Sequence, residues 1–205
     1  MKNFRPEECI FYHIYPFGFC NAPKLNTNEA PVSRIKNIEN WIPHIKSLGI
    51  NALYLGPVFD SGCHGYDTHD YNKIDPRLGT NEDFISFCDK LRANGIHLIL
   101  DGVFNHVGRG FFAFKDVLEN RENSPYCSWI SGLRFKGDNK YGDKLKYDTW
   151  AGHELLVKLN LKNPDVKEYL LNAVEMWIDK FHISGLRLDA ADCIDHDFFR
   201  ELRNR

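Results

Sequence analysis

No stretch of this 205-residue sequence is apolar for long enough to span a bilayer, which excludes a membrane-crossing helix. The opening residues, Met1-Lys2-Asn3-Phe4-Arg5-Pro6-Glu7-Glu8, hold no apolar core of the kind a signal peptide needs, so a cytoplasmic location is expected. Charge of one sign is not in excess. The 26 Lys and Arg against 28 Asp and Glu leave a formal net charge of −2, which removes nucleic acid and anionic membranes from the expected partners. The six cysteines (Cys9, Cys20, Cys63, Cys88, Cys127, Cys193) contain no C-x-x-C pair and, without an export signal, read as free buried thiols. No Gly-rich phosphate loop follows a predicted strand, which sets aside a nucleotide-binding doubly wound sheet.

What remains is an ordinary globular balance, 43% hydrophobic and 26% charged, on a chain long enough to bury a sizeable core. Aromatic residues are plentiful, with 15 Phe, 9 Tyr and 4 Trp. Most belong in a core, but flat rings at a surface also suit the C–H faces of sugars.

Strand and helix patterns alternate along the chain. Cys9 to Tyr15 is a β-type run stopped by Pro16. Ile38, Trp41, Ile42, Ile45 and Leu48 make a helical stripe over 37–48, with Pro43 inside it and Gly49 as its stop. Ala52 to Leu55 is a buried strand. Thr80-Asn81-Glu82-Asp83 resembles a capping box ahead of the apolar face Phe84, Phe87, Cys88 and Leu91. Ile96 to Asp101 is a third strand. Asn163-Pro164 opens a third helix, with the stripe Val166, Leu170, Ala173, Val174, Trp177, Ile178 and Phe181. Ile183 to Leu188 is a fourth strand, and Phe198 to Leu202 begins another helix.

Strands separated by helices imply parallel β-α units, in an open doubly wound sheet or a (β/α)8 barrel. Residues 107–162 break the pattern, with six glycines and little periodicity. They read as a small inserted subdomain between strand three and helix three, because a structureless loop of that length does not suit a compact domain. The expected layout is therefore 1–106 as the first part of the barrel, 107–162 as the insert and 163–205 as the barrel continued.

Polar residues gather just after the C-terminal ends of the predicted strands, the edge where parallel sheets bind ligands. They are His64 to Tyr71, Asp101 to His106, and Gly185 to Asp189. Arg187 and Asp189, two apart on one strand, share a face. A guanidinium fixed beside a carboxylate favours its ionised form, as a nucleophile requires, although a buried ion pair holding the strand register would look the same.

Taken together, these motifs resemble those of the α-amylase family. Asp101-Gly102-Val103-Phe104-Asn105-His106 is similar to its D-x-V-x-N-H region, and Gly185-Leu186-Arg187-Leu188-Asp189 to its G-x-R-x-D region. Gly65-Tyr66-Asp67, with Asp70-Tyr71 and Ile74 to Thr80, resembles the segment after the second strand. Leu156-Val157-Lys158-Leu159-Asn160 resembles the M-P-K-L-N of the neopullulanase and cyclomaltodextrinase branch, with Val157 in place of proline. Cys193 stands where an acidic residue is common in that branch. The resemblance implies a (β/α)8 barrel, here as its first four β/α units, and a retaining glycosidase acting on α-1,4-glucans. It makes Asp189 the nucleophile and Arg187 the group that orients and ionises it. Asp101 and His106 would hold the sugar, and Tyr66 would stack beneath it. Asn105 corresponds to a residue that binds calcium in some relatives; no cofactor is otherwise implied.

The family's general acid, a glutamate after the fifth strand, has no counterpart in this sequence, which ends 16 residues past Asp189 (205 − 189). Retaining glycosidases need a second carboxyl about 5–5.5 Å from the nucleophile, and Glu154 is a poor substitute in its place within the insert. The expectation is a partial product or one half of a split barrel, inactive alone, whose partner is the missing half or a second copy. A glucan transferase shares the same intermediate, and a non-catalytic carbohydrate-binding half barrel is the other alternative.

Overall fold

A computed structural model describes residues 4–205, so the first three residues of the N-terminal stretch lie outside the described part. In chain order the elements are β1 (Phe11–Ile14), α1 (Pro16–Phe19), α2 (Lys36–Glu39), α3 (Ile42–Ser47), β2 (Ala52–Leu55), β3 (Phe59–Ser61), β4 (Thr68–Ile74), α4 (Asn81–Ala93) and β5 (His97–Gly102). They continue with β6 (His106–Gly108), α5 (Phe112–Asn120), β7 (Thr149–Trp150), β8 (His153–Lys158), α6 (Pro164–Phe181), β9 (Gly185–Leu188) and α7 (His196–Asn204). Among the described residues no helix is long and apolar enough to cross a membrane.

The central sheet has four parallel strands in the order β1-β2-β5-β9, each next to its predecessor in the chain. That order never reverses, unlike a doubly wound sheet. Alternation along each strand divides the sheet into two faces. Leu53, Leu55, Leu98 and Leu100 point to one face and are at most 3% exposed, in one core with Phe84, Phe87, Leu91, Trp177 and Phe181 of the helices. The other face carries His13, Tyr54, Asp101 and Arg187.

Local signals explain most helix starts. The Thr80 hydroxyl accepts from Asp83 N–H and the Asp83 carboxylate accepts from Thr80 N–H, the reciprocal capping box of α4. Asn163 caps α6, with Pro164 in its first turn, and Asp195 caps α7. The stripes on α4 and α6 are buried as expected, with the exception of Ile178, 49% exposed. Ile178 lies beside an apolar groove lined by Ile183, Leu186, Leu188, Phe199 and Leu202, along the side of β9 that pairs with no described strand.

Several expectations need correction. The helix over 37–48 is two short helices, because Pro43 lacks an N–H and fits only a first turn; the chain bends at Asn40-Trp41 and restarts at Ile42. The stripe breaks with it, leaving Trp41 37% and Leu48 53% exposed while Ile38, Ile42 and Ile45 are buried. The first and fourth strands begin two residues later than expected, at Phe11 and Gly185. The segment after β2 is an irregular antiparallel hairpin, β3-β4, whose register shifts hid any alternation. The stretch read as aperiodic holds α5 and a three-stranded antiparallel sheet, β6-β8-β7, whose first strand begins at His106. All six cysteines are free, but only Cys20 and Cys88 are buried and Cys193 is exposed.

Candidate active site

The register of β5 against β9 sets Asp101 directly across from Arg187. Facing residues on parallel neighbours share a side of the sheet, and Arg187 Nη1 donates to Asp101 Oδ1 at 2.9 Å. One step beyond the strand, Asp189 N–H still donates to the Gly102 carbonyl at 3.0 Å. The same Arg187 Nη1 donates to Asp189 Oδ1 at 2.7 Å. Ala190 then takes a left-handed conformation (φ 46°), which turns the chain away immediately after Asp189 and leaves its carboxylate at the end of the strand. From the second strand, Tyr54 donates its hydroxyl to Asp101 Oδ2 at 2.7 Å, and the His13 ring stacks on Tyr54 at 4.2 Å. One polar row thus crosses the whole sheet.

The charges are tuned by this packing. Burial raises the Asp101 pKa, partly offset by the donors Arg187 and Tyr54. Burial works against the Arg187 cation, but its bonds to Asp101 and Asp189 outweigh that and hold it protonated more firmly than usual. The Tyr54 and Tyr66 phenols are pushed up by burial, Tyr66 to about 12, with the nearby carboxylate of Asp101 adding to both. Both stay neutral at any ordinary pH.

Tyr66 arrives from a loop, and His106 from the first position of β6. His106 is buried, and its Nδ1 meets Asn105 Nδ2 at 3.1 Å. With the amide nitrogen as donor, Nδ1 accepts and the ring proton sits on Nε2, which has no protein partner. Burial lowers the His106 pKa to about 4, against the pull of Asp189, so the ring is neutral. Tyr66 follows Gly65, whose φ is +91°; a Cβ there would lie 2.6 Å from the Pro57 ring and 2.8 Å from Phe17. His64 Nδ1 accepts from Tyr66 N–H at 3.2 Å, and the buried Asp67 carboxylate accepts from His64 N–H at 3.0 Å.

These groups meet in an open cavity of about 500 Å³, with Tyr66, His64, His106, Trp150 and Asp189 on its walls. Asp189 is the one carboxylate residue lining it, among the described residues. Of the six residues expected from the sequence, Tyr66, His106 and Asp189 line the cavity, while Asp101 and Arg187 form the ion-paired floor beneath Asp189. Asn105 bonds to His106 and lines a separate cavity. Sequence reasoning missed Tyr54, which reads as an apolar strand residue, and Trp150 and His153, which sit in the segment judged aperiodic.

Asn105 is also the test of the calcium expectation. Its Oδ1 is buried without a partner, as a ligand oxygen would be. Calcium, however, takes six to eight oxygens, and no group of three or more Asp, Glu, His or Cys among the described residues could hold a metal. Lys158 and Lys162 bring positive charge to the same cavity, while Asp192, Asp195 and Asn160 bring oxygen atoms to it. Calcium at Asn105 stays an expectation, and no chemistry passes through it.

The comparisons with known proteins agree with one another. The model of the α-amylase catalytic domain matches residues 13–203. The chain is 38% identical to a cyclomaltodextrinase of a Bacillus species, over 96% of this chain and 38% of the relative. It is 39% identical to a cyclomaltodextrinase of Thermoanaerobacter pseudethanolicus, over 98% of this chain and again 38% of the relative. The chain therefore spans less than two-fifths of the length of these relatives. Among solved structures, the cyclic α-maltosyl-(1→6)-maltose hydrolase of Arthrobacter globiformis superposes with a TM-score of 0.81 at 34% identity, covering 96% of this chain and 47% of that one.

Proposed function

The chain belongs to the α-amylase family, and on that premise we propose that it carries the nucleophilic half of a retaining glycosidase acting on α-1,4-glucans of the maltodextrin and cyclomaltodextrin type. The observation that carries the reading is the bridge from one guanidinium nitrogen to Asp101 and Asp189, at the open end of two neighbouring parallel strands.

In this reading the four parallel strands are the first four β/α units of a (β/α)8 barrel, residues 107–162 are an insert beside its mouth, and the apolar groove along β9 is where the next unit packs. The unreversed strand order supports this. Six free thiols fit a cytoplasmic protein.

The roles follow from the geometry. Arg187 donates to one oxygen of the Asp189 carboxylate and fixes it, leaving the other to attack an anomeric carbon. The glycosidic C–O bond breaks as the ester bond to Asp189 forms, and the leaving oxygen takes a proton from a general acid. Water then attacks the anomeric carbon, giving a proton back to the group that acted as acid, releases Asp189 and gives net retention. A sugar hydroxyl attacking in place of water gives transfer by the same intermediate. Tyr66 offers its face to the sugar ring, and the free Nε2–H of neutral His106 donates to a hydroxyl. Asp101 acts through Arg187, as a positioning residue.

With Asp189 the one carboxylate residue on the cavity wall among the described residues, these residues supply the nucleophile and no carboxylic general acid. The chain alone should therefore not turn over maltodextrin, yet it should react with a donor whose leaving group needs no proton. A 5-fluoro-α-glucosyl fluoride provides one: the C–F bond breaks, fluoride departs with the electron pair, and the sugar stays as an ester. Intact-mass and peptide analysis should find that ester on Asp189 and find none in Asp189→Asn. An ester elsewhere, or rapid maltodextrin hydrolysis by the chain alone that survives Asp189→Asn, overturns the assignment.

A further inference from the structure

Cys193 differs from the other five cysteines in where its thiol lies. Cys20 and Cys88 are buried, Cys9, Cys63 and Cys127 are partly buried, and Cys193 is exposed. Burial also pushes the thiols of those five above their ordinary value, Cys20 to about 11. A thiol held protonated is a poor nucleophile, because the thiolate is the reacting form. The backbone fixes the place of Cys193. The chain turns at Ala190, and Cys193 N–H donates to the Ala190 carbonyl at 2.9 Å. The next residue, Ile194, is buried and ties the turn to the core.

Cys193 lines a cavity of about 420 Å³, separate from the one at Asp189. That volume falls in the range of roughly 300–1,000 Å³ that encloses small-molecule ligands. Its walls carry charge of both signs. Lys158 and Lys162, neither in an ion pair among the described residues, lie on one segment, and Asp192 and Asp195 lie on another. Asn105 adds an observation independent of the thiol. It is 1% exposed, and its Oδ1 has no partner although its Nδ2 meets His106 Nδ1 at 3.1 Å. A buried acceptor left unpaired is costly, and a donor N–H from an occupant of the cavity would satisfy it. Two cations, two carboxylates and a buried acceptor complement a small zwitterion with carboxylates, an ammonium group and amide N–H groups. A short peptide carrying a thiol has all three.

We propose that this cavity is a thiolation site, in which Cys193 forms a mixed disulfide with a small peptidic thiol of the glutathione class. Lys158 and Lys162 take the carboxylates of the peptide, the two aspartates its ammonium group, and Asn105 Oδ1 accepts from one of its N–H groups. The step is thiol–disulfide exchange. The Cys193 thiolate attacks one sulfur of the symmetric peptide disulfide, and the new S–S bond forms as the old one breaks. The second peptide leaves as a thiolate and takes up the proton that Cys193 gave up. Cys193 is oxidised and the departing half is reduced, so the disulfide is the only oxidant needed. Excess free thiol reverses the exchange. The adduct lies against Asn105, the partner of His106, on the segment that follows Asp189, which sets a redox-sensitive group beside the catalytic cavity.

The test is to incubate the 205-residue chain with glutathione disulfide or with uncharged bis(hydroxyethyl) disulfide, following adducts by intact mass and peptide mapping. The quantity read is the ratio of the two rates, divided by the same ratio for an N-acetylated cysteine amide, which has no cavity around its thiol. Cys193 should react first, with a normalised ratio of about tenfold in favour of the peptide disulfide. Lys158→Gln and Lys162→Gln should each lower that ratio about threefold and leave the rate with the uncharged disulfide unchanged. Lys162 is exposed, so its variant decides the matter if Lys158→Gln does not fold. Cys193→Ser should abolish the first adduct, and dithiothreitol should return the modified chain to its parent mass. A ratio no higher than that of the free amide, lysine variants that leave it unmoved, or first reaction at another cysteine overturns the proposal.

Discussion

Arg77 and Arg187 each pair with a buried carboxylate, and they do opposite work. Arg77 is 5% exposed and fully engaged: Nε and Nη2 clasp the two oxygens of Asp75 at 2.8 and 2.7 Å, and Nη1 reaches the Cys63 carbonyl at 2.6 Å and those of Pro23 and Lys24. Its guanidinium also lies over the Phe17 ring at 4.4 Å. Arg187 has a side chain 45% exposed and uses one nitrogen for both of its carboxylates, Asp101 and Asp189. The first cluster has every donor satisfied by protein and ties three loops together. The second leaves capacity unspent at a cavity wall. A saturated ion-pair network stabilises; an unsaturated one beside open space is available for chemistry.

The sharpest way to break that contrast is Arg77→Ala. It strands a fully buried Asp75 carboxylate, so unfolding in urea should show a loss of about 3–5 kcal/mol. A loss under about 1 kcal/mol would mean that the loops hold without it.

The pH dependence at the other cluster is the next largest effect. The folded-state pKa of His106, about 4, lies below the ordinary histidine value near 6.5. The unfolded chain therefore binds the extra proton first as pH falls. The stability from a neutral His106 is complete above pH about 6.5 and is lost as pH falls from there to about 4, by at most about 3 kcal/mol. The raised pKa of Asp101 has the opposite sign: its contribution is lost as pH rises through its folded value. His106→Gln should remove the histidine part of the slope between pH 7 and 5, and an unchanged slope would place its origin elsewhere.

The smallest effect on stability belongs to Arg187→Gln. Asp101, whose pKa is already raised, can take up a proton and keep the Tyr54 hydroxyl as partner, so the cost should stay near 1–2 kcal/mol. Ester formation at Asp189 should nevertheless be lost. A stability loss matching that of Arg77→Ala would make the two clusters equivalent and remove the basis for the contrast.

Much of the fold was legible because the signals were local. The capping box at Thr80, the Asn163-Pro164 start and the buried run Ala52 to Leu55 each depend on a few adjacent residues. The break at Pro43, which exposes Trp41 and Leu48, was a local signal underweighted; elsewhere a neighbour distant in sequence decided the outcome. Nothing around Ile178 says that its part of the stripe faces no partner. The β3-β4 hairpin pairs with shifted register, so no alternation marked it. The turn Trp150-Ala151-Gly152-His153 puts alanine where a type I′ turn prefers Asn, Asp or Gly, and the hairpin carrying those two rings therefore went unseen.

The sequence by itself determined the alternation of parallel strands and helices, the segments in which polar residues collect, and the family, since each is written in short contiguous patterns. Only the tertiary structure decided which of those polar residues meet. Arg187 and Asp101 are 86 residues apart in the chain, and the parallel register of β5 and β9 makes them neighbours on one face. Spatial pairing of that kind is a property of the sheet, and no local run of residues records it.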